Sequence, residues 1–182
     1  LKLNLKELIS SEFENFDRIN VCANLPYYIT SDIIMYILEN EEINIDSLTL
    51  MLQKEAAERI CASPGTRNAG AISLAVRYYG TPEILFDVGR ENFMPSPNVD
   101  SVVIRIDMTK SMKRFVKNKS IFFKLVKAAF SQRRKNILNS LSSQMGLPKE
   151  KISEILKLSN IDSSLRAEQL SFEDFAKLSD NF

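Results

Sequence analysis

The residues 24–27 (NLPY) combine an amide, a proline and an aromatic ring directly after the segment Arg18 to Ala23 (RINVCA), which predicts a short buried strand. Ligands of open α/β sheets bind at the carboxyl ends of strands. The Asn24 side-chain oxygen and a backbone carbonyl near Pro26 could accept both hydrogens of an exocyclic amine, and Tyr27 could stack on a flat ring. The segment therefore predicts a site for a flat polar ligand. The alternative is a turn in which the Asn caps the chain and the Tyr packs in the core.

A second aromatic residue lies in a proline-containing loop. Phe93 precedes two prolines in the segment GRENFMPSPNVD, just before a predicted strand of sequence SVVIRI. Because prolines restrict the backbone, an aromatic ring in this loop could close the other side of a flat ligand. The alternative is that Phe93 fills the core and the prolines only end strand pairing.

The stretch from Lys110 to Lys135 holds ten basic residues and no acidic ones, although the whole chain has a net charge of +1. It overlaps residues 122–141, which predict a helix that carries Lys124 and Lys127 and continues through Arg133, Arg134 and Lys135. Three consecutive basic residues fan around a helix and suit several phosphates along a nucleic-acid backbone. A solvated helix face is the alternative.

The chain lacks the residues that several classes of catalytic and metal site require. The chain contains no histidine, which excludes Ser-His-Asp and Cys-His catalysis and most zinc sites, so no metal site is expected. None of the five glycines forms a G-x-G-x-x-G pattern. The two cysteines, Cys22 and Cys61, lie in apolar sequence and favour a reducing compartment over a disulfide framework. No apolar run approaches the roughly 20 residues of a membrane helix, so we expect a soluble protein.

The predicted secondary structure that positions these residues changes from mixed strands and helices to helices alone along the chain. The first hundred residues alternate strand and helix patterns, with Leu48, Leu50 and Leu52 on one face of a strand, and predict an α/β sheet. After Ile106 every pattern is helical. The composition and the pattern both change near Thr109 to Lys119, so we expect one domain over residues 1–109 and a helical domain over 110–182.

Helix ends can also be predicted. Ser31-Asp32 and Ser120 are predicted N-caps, and Ser171 with Asp174 is typical of a capping box. Gly146 is predicted to end the helix that contains Ile137 and Leu141.

Six segments, taken together, resemble the bacterial small-subunit ribosomal RNA adenine dimethyltransferases. They are NLPYYIT, QKEAAERI, GAISLAVRYY, FMPSPNVDSVVIRI, AAFSQRRKNILNSL and LRAEQLSFEDFAKL, and they occur in the order of that family over essentially the whole chain. The resemblance implies the later part of a Rossmann-like methyltransferase domain followed by a small helical domain. Members of the family dimethylate two adjacent adenosines near the 3′ end of small-subunit rRNA with S-adenosylmethionine.

The resemblance also assigns roles. Asn24 and the Pro26 carbonyl would accept hydrogen bonds from the adenine amine, with Asn24 also at the cofactor, and Tyr27 and Phe93 would stack on a base that has left its helix. Lys124, Lys127, Arg133, Arg134 and Lys135 would bind RNA. We expect a cytoplasmic, monomeric enzyme whose partner is the small ribosomal subunit and which has no membrane partner.

The start of the sequence, LKLNLKEL, resembles the middle of a domain and lies beyond the family's glycine-rich cofactor loop. We therefore expect the 182 residues alone to bind no cofactor and to be inactive, in contrast to the intact protein. Two alternatives to the main interpretation remain. One is a large-subunit rRNA methyltransferase of the macrolide-resistance type, and the other is a non-catalytic rRNA-binding assembly factor.

Overall fold

The computed structural model describes residues 4–13 and 16–182 of the chain. Its strands are β1 (Asn20–Asn24), β2 (Ser47–Gln53), β3 (Thr81–Val88) and β4 (Ser101–Asp107). Eight α-helices lie in the described part of the chain. They are α1 (Leu5–Glu12), α2 (Thr30–Glu39), α3 (Lys54–Cys61), α4 (Ala71–Tyr79), α5 (Lys119–Phe130), α6 (Ile137–Met145), α7 (Lys149–Leu158) and α8 (Phe172–Asp180). The predicted change from mixed α/β structure to helices after Ile106 is confirmed, whereas α1 was not predicted.

The chain divides into two compact units. The first comprises the described residues of Leu1–Cys61 together with Tyr79–Ser111, and the second comprises Ala62–Tyr78 and Met112–Phe182. Residues 62–78 thus group with the helices of the second unit, although the sequence prediction placed them in the first domain. The reason is that the amphipathic helix α4 buries Leu74 and Val76 completely, and Tyr78 stacks on Phe122 of α5 with ring centroids 5.9 Å apart. The functional division at 109/110 stays a prediction.

The four strands form one sheet in the order β1-β2-β4-β3. β1 runs parallel to β2, and β4 runs antiparallel to both of its neighbours. Leu48, Leu50 and Leu52 of β2 are fully buried, as their alternation predicted, and so are Val102, Ile104 and Ile106 of β4. Because β4 is antiparallel, its amino end lies at the same edge of the sheet as the carboxyl ends of β1, β2 and β3. That edge therefore carries both the segment after Asn24 and the loop before Ser101.

β1 differs from the buried strand that was predicted. Its residues alternate between exposed and half-buried, and Cys22 on its exposed face is solvent-accessible, whereas Cys61 is half-buried. The strand lies at an edge of the sheet, where β2 is its one neighbour among the described strands. An apolar run specifies a strand, but the number of strands around it determines its burial.

Two predicted N-caps were wrong. A 3₁₀ turn at Tyr27–Ile29 leads directly into α2 at Thr30, so Ser31 and Asp32 lie in the first turn of that helix. α5 is capped by Asn118, whose side chain accepts a hydrogen bond from the Ile121 N–H at 3.1 Å, and Ser120 is the second residue of the helix. The Ser171–Asp174 capping box and the end of α6 at Gly146, with φ +66°, are confirmed.

The helices α5 and α8 share an aromatic core in the second unit. Phe122 and Phe172 have ring centroids 5.1 Å apart, and Phe130 stacks on Phe175.

In the part of the chain that the structure describes, no helix is both long and apolar enough to cross a membrane.

Candidate functional site

An open cleft of about 340 Å³ lies at the sheet edge where the two loops meet. Its lining consists of Asn24, Leu25, Pro26, Tyr27, Phe93, Pro95 and Pro97. The sheet topology explains why the two loops lie together. β1 ends at Asn24, where the first loop begins. The second loop joins Val88, at the end of β3, to its partner Ser101, at the start of β4, and both residues lie at the same edge of the sheet. All four residues predicted for the site, Asn24, Pro26, Tyr27 and Phe93, are therefore brought together. Their chemical roles remain predictions.

Asn24 presents a free amide at the cleft. Its side chain is exposed and makes no hydrogen bond with any residue that the structure describes. The backbone around it is fixed, since Asn24 pairs with Met51 in the sheet and the Leu25 N–H donates to the Met51 carbonyl at 3.0 Å. A held backbone with an unused amide is suited to bind a ligand, because no internal hydrogen bond must first be broken.

The backbone carbonyls of Leu25 and Pro26 differ in the number of hydrogen bonds that they already accept. The Pro26 carbonyl already accepts the Thr30 hydroxyl at 3.0 Å and the Ile29 N–H at 3.3 Å. The Leu25 carbonyl accepts no hydrogen bond from the described residues, although Leu25 lines the cleft. A carbonyl oxygen has two lone pairs, so the Leu25 carbonyl has the greater capacity to bind a donor from a ligand.

Tyr27 forms one wall of the cleft and is half-buried. Its hydroxyl lies 2.8 Å from the Ser101 hydroxyl at the start of β4. Ser101 is fully buried, so this contact fixes the phenol from its polar end. The sequence analysis did not identify Ser101, because nothing in a serine at a strand start distinguishes it before its partner is known.

Phe93 lies on the opposite loop, after a 3₁₀ turn at Arg90–Asn92. It is half-buried, and Met94 beside it is fully exposed. The Arg90 guanidinium hydrogen-bonds to the Asp100 carboxylate, which holds the pKa of Asp100 below its ordinary range and raises the pKa of Arg90. Both groups are charged at neutral pH. Arg90 and Asp100 were not predicted as site residues.

The basic residues lie in the second unit, but not all on a helix. Lys124 and Lys127 are exposed on α5, as predicted, one helical turn apart. Arg133, Arg134 and Lys135 lie in the turn between α5 and α6, which we call the basic turn, and not on a continuous helix.

Local hydrogen bonds explain why the helix is interrupted at the basic turn. The Ser131 hydroxyl donates to the Ala128 carbonyl at the end of α5, and Asn136 caps α6 by accepting the Asn139 N–H. All five predicted RNA-binding residues are exposed and form no ion pair with the described residues. Other basic residues of the stretch are engaged, as in the 2.8 Å pair between Lys117 and Asp180.

Comparison with known proteins gives a consistent result. A family model described as ribosomal RNA adenine dimethylase matches residues 1–182. The chain is 46% identical over 182 residues to the ribosomal RNA small subunit methyltransferase A of Alkaliphilus oremlandii, covering 100% of this chain and 63% of that protein. It is 48% identical over 179 residues to the protein of the same name from Clostridioides difficile, covering 98% of this chain and 61% of the relative. The chain thus spans less than two thirds of the length of these curated relatives.

Solved structures agree with the fold. A dimethyladenosine transferase from Plasmodium falciparum superposes with a TM-score of 0.71 at 25% identity, over 92% of this chain and 67% of that one. The 23S rRNA methyltransferase ErmE superposes with a TM-score of 0.64 at 19% identity, over 97% of this chain and 75% of that one. The second similarity concerns the fold alone. Together they place the sheet and helices in a Rossmann-like methyltransferase architecture.

Proposed function

The chain belongs to the ribosomal RNA adenine dimethylase family, and we propose that it forms part of an enzyme that dimethylates two adjacent adenosines near the 3′ end of small-subunit rRNA. The observation that carries this proposal is the cleft, which is lined by the unused Asn24 amide and by Tyr27 and Phe93 from two loops. The relatives with 46% and 48% identity are named as small-subunit enzymes, which favours that substrate over large-subunit rRNA.

The cleft would act on the adenine amine through two acceptors. The nitrogen lone pair of this amine is delocalised into the ring, so the amine is a weak nucleophile. The Asn24 oxygen and the Leu25 carbonyl would accept its two hydrogens and hold them out of the ring plane, which localises the lone pair on nitrogen. We assign the second acceptor to Leu25 instead of Pro26 because the Pro26 carbonyl is already hydrogen-bonded twice.

Tyr27 and Phe93 would hold the adenine after it leaves its RNA stack. Base stacking on aromatic side chains contributes roughly 1–3 kcal/mol per base, which offsets part of the cost of extrusion. Fixing the amine relative to the methyl donor would supply much of the acceleration. The methylated nitrogen would release one proton to solvent, so no titrating general base is needed. This accounts for a catalytic cleft in a chain without histidine.

S-adenosylmethionine supplies the methyl group in this family. Asn24 is the one residue of this chain that we assign to its site, and the 182 residues contain no glycine-rich phosphate or nucleoside loop. We therefore propose that residues 1–182 alone bind no cofactor and are inactive, and that the full-length enzyme binds it.

The partner that we propose is the small ribosomal subunit, bound through Lys124, Lys127 and the basic turn. Exposed cations without ion-pair partners among the described residues, close together along the chain, suit the phosphates of folded RNA. We propose that the intact enzyme acts as a cytoplasmic monomer.

Methyl transfer from labelled S-adenosylmethionine tests the proposed function. The full-length enzyme should label unmethylated small subunits and yield dimethyladenosine, identified by mass spectrometry of the digested rRNA. Large ribosomal subunits serve as the control. Label in large-subunit rRNA alone would support the macrolide-resistance alternative, and binding without label would support a non-catalytic assembly factor.

A further inference from the structure

The loop that carries Phe93 has little regular backbone bonding of its own. It joins β3 to β4 over residues 89–100, and its internal backbone hydrogen bonds among the described residues are Asn92 N–H to Gly89 and Phe93 N–H to Arg90. Pro95 and Pro97 lack an N–H and cannot add any. The order of this loop must therefore come from side chains.

Arg90 supplies most of these side-chain contacts. Its guanidinium donates from Nε to Asp100 Oδ1 at 2.9 Å, from Nη2 to Asp100 Oδ2 at 3.4 Å and from Nη1 to the Asn98 carbonyl at 2.9 Å. The Arg90 N–H also donates to Asp100 Oδ1 at 3.2 Å, and the Ser96 hydroxyl donates to the Arg90 carbonyl at 2.9 Å. One residue thus joins the start, the middle and the end of the loop. A planar guanidinium can make this set of bonds, whereas a lysine ammonium cannot reproduce its geometry.

The end of the loop is in turn fixed to the rest of the site. The Asp100 carbonyl accepts the N–H of Lys54 at 3.0 Å, at the start of α3. The next residue, Ser101, hydrogen-bonds to the Tyr27 hydroxyl at 2.8 Å. A continuous path of bonded groups therefore runs from Arg90, beside Phe93, to Tyr27 on the other wall of the cleft.

From this path we propose that Arg90 and Asp100 are positioning residues, which set the placement of Phe93 relative to Tyr27 and so hold the target base in its reactive orientation. The inference rests on the proposed function for its substrate, an extruded adenine. The Arg90–Asp100 pair is exposed to solvent, with 50% and 39% of the two side-chain surfaces accessible. Exposed ion pairs contribute little to global stability, so its removal should loosen the loop without unfolding the unit.

Two measurements on the same variants test the proposal. Arg90→Gln and Asp100→Asn are compared with Arg90→Lys, and Glu42→Gln is the control, because it removes the exposed Lys6–Glu42 pair in the same unit. Hydrogen–deuterium exchange of the full-length enzyme should increase about tenfold within residues 90–99 for the first two variants and less for Arg90→Lys. Exchange elsewhere, and in Glu42→Gln, should not change.

The kinetic measurement uses the full-length enzyme. The kcat for methyl transfer should fall about tenfold in Arg90→Gln and Asp100→Asn, and KM for the RNA should stay within about twofold, because we assign RNA binding to Lys124, Lys127 and the basic turn. Arg90→Lys should be intermediate. The double variant should lose little more than either single variant, because the two residues act as one unit.

The outcomes separate this inference from the proposed function. Unchanged exchange in the loop overturns the inference, as does a loosened loop with unaltered kcat. A higher KM at constant kcat also overturns it, since the loop would then act in RNA affinity. If the wild-type enzyme transfers no methyl group, the proposed function fails, while the exchange data still decide whether the pair orders the loop. If Arg90→Gln lowers protection throughout the unit, the near-isosteric Asp100→Asn variant decides between local and global loosening.

Discussion

At the residue scale, the cleft depends on acceptors that the protein leaves unused. The Asn24 side chain hydrogen-bonds to nothing in the described chain, and the Leu25 carbonyl beside it is equally unoccupied, whereas Pro26 directs its carbonyl toward Thr30 and Ile29. Most polar groups in folded proteins are hydrogen-bonded, so an open carbonyl next to a free amide supports the proposed acceptor pair. The proline matters for rigidity, with φ −60° and ψ 129° immediately before the 3₁₀ turn.

Replacing Asn24 tests its role directly. Asn24→Ala in the full-length enzyme should lower kcat about a hundredfold or more, because the reacting amine then keeps only one of its two preorganised acceptors. Binding of the RNA should be nearly unchanged. Asn24→Asp, which keeps an acceptor oxygen, should retain part of the activity.

The matched control is Asn44→Ala, an exposed asparagine of the same unit that lies outside the cleft. It should leave both kcat and affinity unaltered. Full activity in Asn24→Ala would contradict the assigned role, and equal losses in the two variants would point to a general effect on folding.

At the scale of elements, the ends of helices decide where functional side chains lie. α5 and α6 are predicted by their apolar spacing, but the caps at Ser131 and Asn136 place Arg133, Arg134 and Lys135 in a turn. The three residues are therefore exposed in a turn and not distributed around a helix, and their contact with phosphates stays a prediction.

The cap of α5 offers a stability test at this scale. Asn118→Ala should lower the free energy of unfolding by about 1 kcal/mol, because the Ile121 N–H loses its acceptor. Ser120→Ala, at the cap position that was predicted wrongly, should change it by less than about 0.5 kcal/mol. Urea denaturation followed by circular dichroism gives both values. A larger loss for Ser120→Ala would contradict the assigned cap.

At the scale of the whole molecule, charge is segregated although the net charge is +1. Residues 1–109 carry sixteen acidic and nine basic side chains, while the charged residues from Lys110 to Lys135 are all basic. Residues 1–109, which include the cleft, therefore have an acidic excess, and the five exposed cations assigned to RNA belong to the second unit. We expect RNA affinity and base chemistry to be separable by mutation for this reason.

Charge reversal at the basic turn tests that separation. Arg133→Glu with Arg134→Glu should weaken binding to unmethylated small-subunit rRNA and reduce the slope of log affinity against log salt by roughly two, about one for each phosphate that the variant no longer neutralises. Filter binding over a range of salt concentrations measures both quantities.

The control reverses the charge of two exposed lysines of α7 in the same unit, with the substitutions Lys149→Glu and Lys151→Glu. It therefore changes the net charge by the same amount as the variant of the basic turn. If both double variants weaken binding to the same extent, the effect is one of net charge and the basic turn is not a specific contact surface.

The sequence by itself determined the local chemistry and the local structure. The NLPY segment, the prolines after Phe93 and the alternation of Leu48, Leu50 and Leu52 are properties of neighbouring residues. Such local patterns predicted the strands, the α5–α8 region and four of the residues that line the cleft, whose roles stay predictions. Only the tertiary structure decided that β4 lies between β2 and β3 in antiparallel orientation, which brings two loops to one edge. It also revealed the Arg90–Asp100 pair and the contact between Tyr27 and Ser101. The physical reason is that apolar residues at every second position specify a strand but not the strand with which it pairs. Contacts between residues far apart in the chain are therefore known only once the strand pairing is known.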